Sequence, residues 1–86
     1  MRGVAKTVTR ELRTLMQAHE ELVRIRPARD APLQVWLGYY LRSVSLYEQI
    51  AQIDPGHGAE ALYWARRERR RAEGITTRIG AERSRE

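Results

Sequence analysis

The segment from Leu33 to Ile53 reads as a single helix with one narrow polar stripe, and that stripe constrains the whole chain. Gln34, Gly38, Arg42, Ser45, Gln49 and Gln52 follow one another at spacings of three and four, so they share one side of a 3.6-residue helix. Nearly every other position is apolar or aromatic: Leu33, Val35, Trp36, Leu37, Tyr39, Tyr40 and Leu41 in the first half, then Val44, Leu46, Tyr47, Ile50, Ala51 and Ile53. A helix lying against one core needs an apolar stripe of roughly 100°. This one has much more, so it is expected to be covered on at least two sides. Contact, with itself or with a partner, is the work such a helix suggests.

The chain has 86 residues and no cysteine. That length supports one small domain, and disulfide staples and thiolate metal sites are excluded. Stability has to come from helix packing or from oligomerisation. Of the sixteen Lys and Arg residues only Lys6 is lysine, and Asn and Phe are absent. A GC-rich genome produces this bias without a functional cause, which weakens what a net charge of +5 says about anionic partners. No run of eighteen apolar residues is present, so no membrane span is expected. Met1 to Lys6 lack the apolar centre of a secretory signal, and the expected location is cytoplasmic.

A first helix is predicted over about 5–25, opening near Val4 or Thr7. Val8, Leu12, Leu15, His19 and Leu22 recur at four, three, four and three, and Met16 and Val23 widen that stripe. Thr9 is its expected N-cap, with Glu11 in the first turn and Arg24 and Arg26 in the last. Pro27 stops it. Asp30 is the expected N-cap of a second helix over 31–53, with Pro32 in its first turn. Asp54-Pro55-Gly56-His57-Gly58 is a strong breaker. A third helix over 59–73 follows, ending at Gly74, and its large apolar residues come early, at Leu62, Tyr63 and Trp64. Residues 75–86 are expected to be a flexible or marginally helical tail. The short loops make the helices antiparallel neighbours. The resulting expectation is an all-α three-helix domain over 1–74 with a long central helix, assembled as a homodimer.

Leu46 to Trp64 resembles the junction between two tetratricopeptide repeats: a helix ends at a proline, Pro55, and the next opens on Ala61, Leu62 and Trp64. Arg66 departs from the small residue usual there, and a repeat array needs about three units, so a simple helical hairpin is the preferred reading. A wider resemblance rests on Ala18-His19-Glu20, Pro27 with Arg29-Asp30, Trp36 with Tyr39-Tyr40, Ile53-Asp54 with Gly56-His57, and Glu60 to Glu68. These segments together resemble a group of short, uncharacterised actinobacterial helical proteins. That resemblance implies lineage and an all-helical fold, and no activity.

Catalysis is not expected. Ser43 and Ser45 lie within a helix with no nearby histidine or glycine-rich elbow. Gly56-His57-Gly58 lacks the spacing and lysine of a phosphate loop. Adjacent carboxylates such as Glu20 and Glu21 diverge on a helix. Two histidines without cysteine, His19 and His57, make a poor zinc set, and no metal or cofactor site is expected. His19, on the apolar stripe, reads as a half-buried histidine with a hydrogen-bond partner. Trp36, Tyr39, Tyr40 and Tyr47 supply more aromatic directions than one small core needs, and tyrosine and tryptophan are common interface anchors. They are the expected protein interface of a regulatory or adaptor-like interaction protein, whose partner is a second copy or another protein. The alternative is a nucleic-acid-associated factor. Arg66, Arg67, Arg69, Arg70 and Arg71 place paired guanidinium groups on two adjacent helix faces, suited to phosphate backbone, without residues that read base edges.

Overall fold

A computed structural model describes residues 12–85. Three helices follow in order, α1 (Leu15–Arg24), α2 (Leu33–Ile53) and α3 (Gly58–Ser84), with a 3-10 turn (Pro55–His57) between the last two. The fold is all-α, and no strand occurs among the described residues. No helix among them is long and apolar enough to cross a membrane.

α2 and α3 form an antiparallel hairpin. Ala51 meets Gly58 beside the turn, Glu48 pairs with Arg69, and Tyr40 meets Arg71 further out. α1 lies on one side of this hairpin toward its turn. The Leu15 N–H donates to Asp54, the His19 ring meets the Tyr47 hydroxyl, and the Tyr39 hydroxyl donates to the Leu22 carbonyl. The shortest principal extent is 19 Å, about two helix diameters, so α1 adds a second layer and nothing among the described residues adds a third.

The buried cluster takes Leu15, Ala18 and Leu22 from α1, Tyr47 and Ile50 from α2, and Ala61 and Ala65 from α3. The inner stripe of α3 runs Ala61, Ala65, Glu68, Ala72, Ile75 and Ile79, at spacings of four and three. Its alanines let the two backbones come close. A methyl group added at Gly58 would stand 3.3 Å from the Ala51 carbonyl oxygen.

The six residues of the polar stripe on α2 are all exposed, and α1 and α3 cover the other flanks. Three large apolar residues of α2 stay about half exposed: Val35 at 48%, Leu41 at 51% and Ile53 at 50%. Val35 and Ile53 lie about 27 Å apart along the axis, and Leu41 sits on the opposite margin of the polar stripe. They form no continuous patch. Along α2, Tyr40, Val44, Tyr47 and Ile50 are buried, while its other large apolar residues keep part of their surface exposed.

Several boundaries differ from expectation. Val4, Thr7, Val8, Thr9 and Glu11 lie outside the described residues. Within them, Leu12 and Arg13 are not helical, and α1 opens after Thr14. Thr14 and Gln17 form a reciprocal capping box: the Gln17 N–H donates to Thr14 Oγ1 at 3.1 Å, and Gln17 Oε1 accepts from the Thr14 N–H at 3.2 Å. Asp54 adds a cap from across the molecule, its Oδ2 accepting from the Leu15 N–H at 3.1 Å. That bond, then His57, holds the Asp54 carboxyl below its ordinary value. Met16 and Val23 do not widen the buried stripe; they are 66% and 74% exposed. Pro32 rather than Asp30 precedes α2, and its carbonyl accepts from Val35 and Trp36. Asp30 belongs instead to the turn closed by the Ala31 N–H on the Ala28 carbonyl. α3 does not stop at Gly74 but continues to Ser84, because Ala72, Ile75 and Ile79 extend its inner face.

Candidate functional site

Toward the end of α1, a cleft of about 270 Å3 opens between α1 and α3, over α2. α1 and the loop after it contribute His19, Leu22, Val23 and Arg26; α2 contributes Tyr39, Tyr40, Ser43 and Tyr47; α3 contributes Trp64, Arg67, Glu68 and Arg71. The α3 residues recur at three, one and three, which places them along the edge of the helix that faces α1.

Each of the three arginines packs over an aromatic ring. Arg26 lies 5.2 Å from the Trp36 centroid, Arg67 5.2 Å from Trp64, and Arg71 5.8 Å from Tyr40. The rings stack in turn. Trp36 and Tyr40 are 5.6 Å apart and tilted by 31°, while Tyr47 and Trp64 are 6.3 Å apart and 28° from parallel. A guanidinium over a ring face is held in place by cation–π attraction, and its in-plane N–H groups remain available as donors. The Trp36 indole N–H donates to the Ala28 carbonyl at 3.1 Å, which ties this ring to the loop carrying Arg26.

Glu68 is the single carboxylate lining the cleft. It is 7% exposed and accepts from Arg67 Nη1 at 3.1 Å. Glu21 is also buried, but its carboxylate is gripped by Arg24 through both oxygens and does not line the cleft. Three guanidinium groups therefore face one carboxylate, and the cleft carries a formal excess of two positive charges.

The polar groups on the α2 side are mutually engaged. Burial, reinforced by the negative charge of Glu68, pushes the Tyr47 hydroxyl up to about 12. It remains protonated and hydrogen-bonds with His19 Nδ1 at 2.7 Å, the imidazole tautomer setting which of the two donates. His19 also packs edge-on against Tyr47 and Trp64. Burial likewise raises Tyr39, whose hydroxyl donates to the Leu22 carbonyl at 2.9 Å near the end of α1. Ser43 is 1% exposed and donates back to the Tyr39 carbonyl at 2.9 Å. Ser43 thus bonds to backbone and His19 to Tyr47, so these two contacts make no serine–histidine pair. The indole Nε1 of Trp64 is buried with no hydrogen-bond partner. Among the described residues no three His, Cys, Asp or Glu side chains gather as metal ligands.

The four aromatic residues expected to form an interface, Trp36, Tyr39, Tyr40 and Tyr47, differ in exposure. Tyr40 and Tyr47 are buried, and Trp36 and Tyr39 are half-buried with their polar atoms bonded to backbone carbonyls. Burial rules out Tyr40 and Tyr47 as an exposed contact surface in this fold; these four residues brace the cleft and the loop beside it. The arginine run divides three ways. Arg67 and Arg71 turn to the cleft, Arg69 pairs with Glu48 at 2.7 Å, and Arg66 and Arg70 are exposed with no ion pair among the described residues. His57 stays in its turn, 3.2 Å from Asp54. Sequence reasoning missed Arg26 and Glu68. Glu68 left a signal, a charge on the otherwise apolar inner stripe of α3. Arg26 left none, because it joins the cleft from a loop.

A second, shallower depression lies between α2 and α3 beside Leu41, Ala72 and Thr76. Its one arginine, Arg69, is the partner of Glu48.

Fold and cleft together define a small three-helix protein with an arginine-lined polar cleft. No protein-family model matches the chain, and comparison with curated proteins and with solved structures returns no match.

Proposed function

We propose that this protein is a small non-enzymatic helical recognition module that takes an acidic segment of a partner protein into the cleft between α1 and α3. The observation that carries this reading is the convergence of Arg26, Arg67 and Arg71 on one cleft, each placed over a ring. Preorganised guanidinium groups lose less freedom when they bind, and arginines and aromatics dominate interface energetics. Exposed apolar groups stand nearby to hold the rest of a segment. Met16 and Val23 flank His19 on α1, and Tyr63, 51% exposed, adjoins Trp64 on α3.

The test uses two amphipathic helical peptides of equal apolar content, one glutamate-rich and one lysine-rich, followed by tryptophan fluorescence at moderate salt. The acidic peptide binds and the basic one does not. Charge reversal at Arg67 and Arg71 together abolishes binding with the helix content retained. Equal binding of both peptides, or full binding by the reversed variant, defeats the reading.

The nucleic-acid alternative rests on Arg66 and Arg70, the outward pair that lacks ion-pair partners. Two phosphate contacts give a log–log salt slope of only about −2 on duplex DNA. Loss of DNA binding in Arg66→Glu, with the acidic peptide still bound, favours that alternative for this second face.

A further inference from the structure

Resting on that reading, we infer that the group the cleft is built to hold is a phosphate monoester dianion, such as the phosphoryl group of a phosphorylated side chain. Arg26, Arg67 and Arg71 converge from a loop and one helix edge, and Glu68 offsets one of their charges through Arg67. The two remaining charges match a phosphoryl group, which carries about −1.5 to −2 near neutral pH and three acceptor oxygens. A carboxylate leaves one charge uncompensated and has one oxygen fewer. A phosphodiester carries a single charge and has a substituent where the third oxygen would be.

The chemistry of the donors agrees with this assignment. Arginine forks match phosphate oxygens in plane, and ring stacking occupies the guanidinium faces rather than their edges. Arg71 reaches only the Tyr40 hydroxyl, at 3.5 Å, and Arg26 has no ion pair among the described residues. Both have N–H groups to offer. The cleft holds about 270 Å3, comparable to a phosphoryl group with part of the side chain bearing it. Trp64, with its unpartnered indole N–H, lines the same wall and reports on occupancy.

The experiment is a calorimetric titration of the full chain at fixed ionic strength with phenyl phosphate, its methyl ester and inorganic phosphate, and with 5′-AMP to separate a nucleotide source from a phosphorylated side chain. Phenyl phosphate binds at least about tenfold more tightly than the methyl ester, as the loss of one charge-assisted hydrogen bond implies. It also outcompetes 5′-AMP. Arg71→Gln and Arg26→Gln each weaken it at least about tenfold, whereas Arg66→Gln, outside the cleft, changes it less than twofold. Tryptophan indole proton shifts follow the same order, and helix content shows that each variant folds. Equal affinity for phenyl phosphate and its methyl ester, or equal effects of Arg66→Gln and Arg71→Gln, overturns the inference. Preference for 5′-AMP overturns the phosphorylated side chain as its source. Binding of the acidic peptide without phenyl phosphate leaves the recognition module standing and removes only the phosphate. Failure of both ligands removes both.

Discussion

At the turn end of the hairpin, α1, α2 and α3 meet around Ile50, which is wholly buried. Past the loop that follows α1, only α2 and α3 remain among the described residues, with Leu41 and Ala72 bordering a shallow depression between them. The same two helices run through both regions, so the difference lies in the third. α1 has 10 residues against 21 for α2 and 27 for α3, about 15 Å against about 32 and 40 Å. Its apolar cover runs out partway along the hairpin. The polar cleft opens at that margin, where a third helix is near enough to form a wall and too short to fill the space. Stability and recognition are thus concentrated in neighbouring regions. The turn end closes an apolar core that includes Tyr47, and the margin beside it holds Tyr39, Tyr40 and the cleft arginines, of which Arg26 and Arg71 are exposed and Arg67 is half-buried.

Truncation at the turn end tests this contrast most severely. Ile50→Ala removes a fully buried side chain from the point where three helices meet. It is expected to lower unfolding free energy by about 2–5 kcal/mol, measured by urea denaturation, with the cleft lost only as the whole chain unfolds. A loss below about 1 kcal/mol would show that the turn end is not the stabilising region.

A smaller effect of opposite sign is expected at the far end. Gly74 is exposed within α3, and a methyl group there meets nothing within 4 Å. Gly74→Ala should stabilise by about 0.5–1 kcal/mol through helix propensity and a less flexible unfolded chain. Hydrogen exchange should slow chiefly in the second half of α3, if that half opens independently. Uniform slowing along α1 and α2 would instead make the two regions one cooperative unit.

The smallest effect concerns the tie between α1 and the turn. The Asp54 carboxyl lies below its ordinary value of 3.8, chiefly through the Leu15 N–H and then through His57. Folding therefore favours the ionised form. The stabilisation is complete above the ordinary value and is lost as pH falls through the lower folded value. Asp54→Asn should flatten the acid side of the stability profile below about pH 4 and lower the melting temperature slightly at pH 7. An unchanged profile would mean that this tie adds nothing to the turn end.

Much of the architecture is legible in the residues. The polar stripe on α2 marks its solvent face, Pro55 and Gly56 end it, and Leu15, His19 and Leu22 mark the inner face of α1. Thr14 and Gln17 carry a capping signature three residues apart, yet the apolar period through Leu12 favours an earlier start. Small residues hid the length of α3. Ala61, Ala65 and Ala72 hold the inner spacing as firmly as leucines would, but contribute little to an apolar pattern, and Gly74 resembles a stop. The cleft was less legible. Tyr47 shows its role only once His19, 28 positions away, lies against it, and the same holds for Tyr40 and Arg71, 31 positions apart.

By itself the sequence determined what depends on near neighbours: helical periodicity, the breaks at proline and glycine, and the side of α2 that faces water. These follow from backbone geometry and from the cost of burying glutamine and arginine stripes. Which arginines share a cleft, which tyrosines are buried, and how far Glu68 lies from solvent were decided only when α1 docked on the hairpin. Those properties depend on the burial and charge that separate helices impose on one another, and no local spacing contains that information.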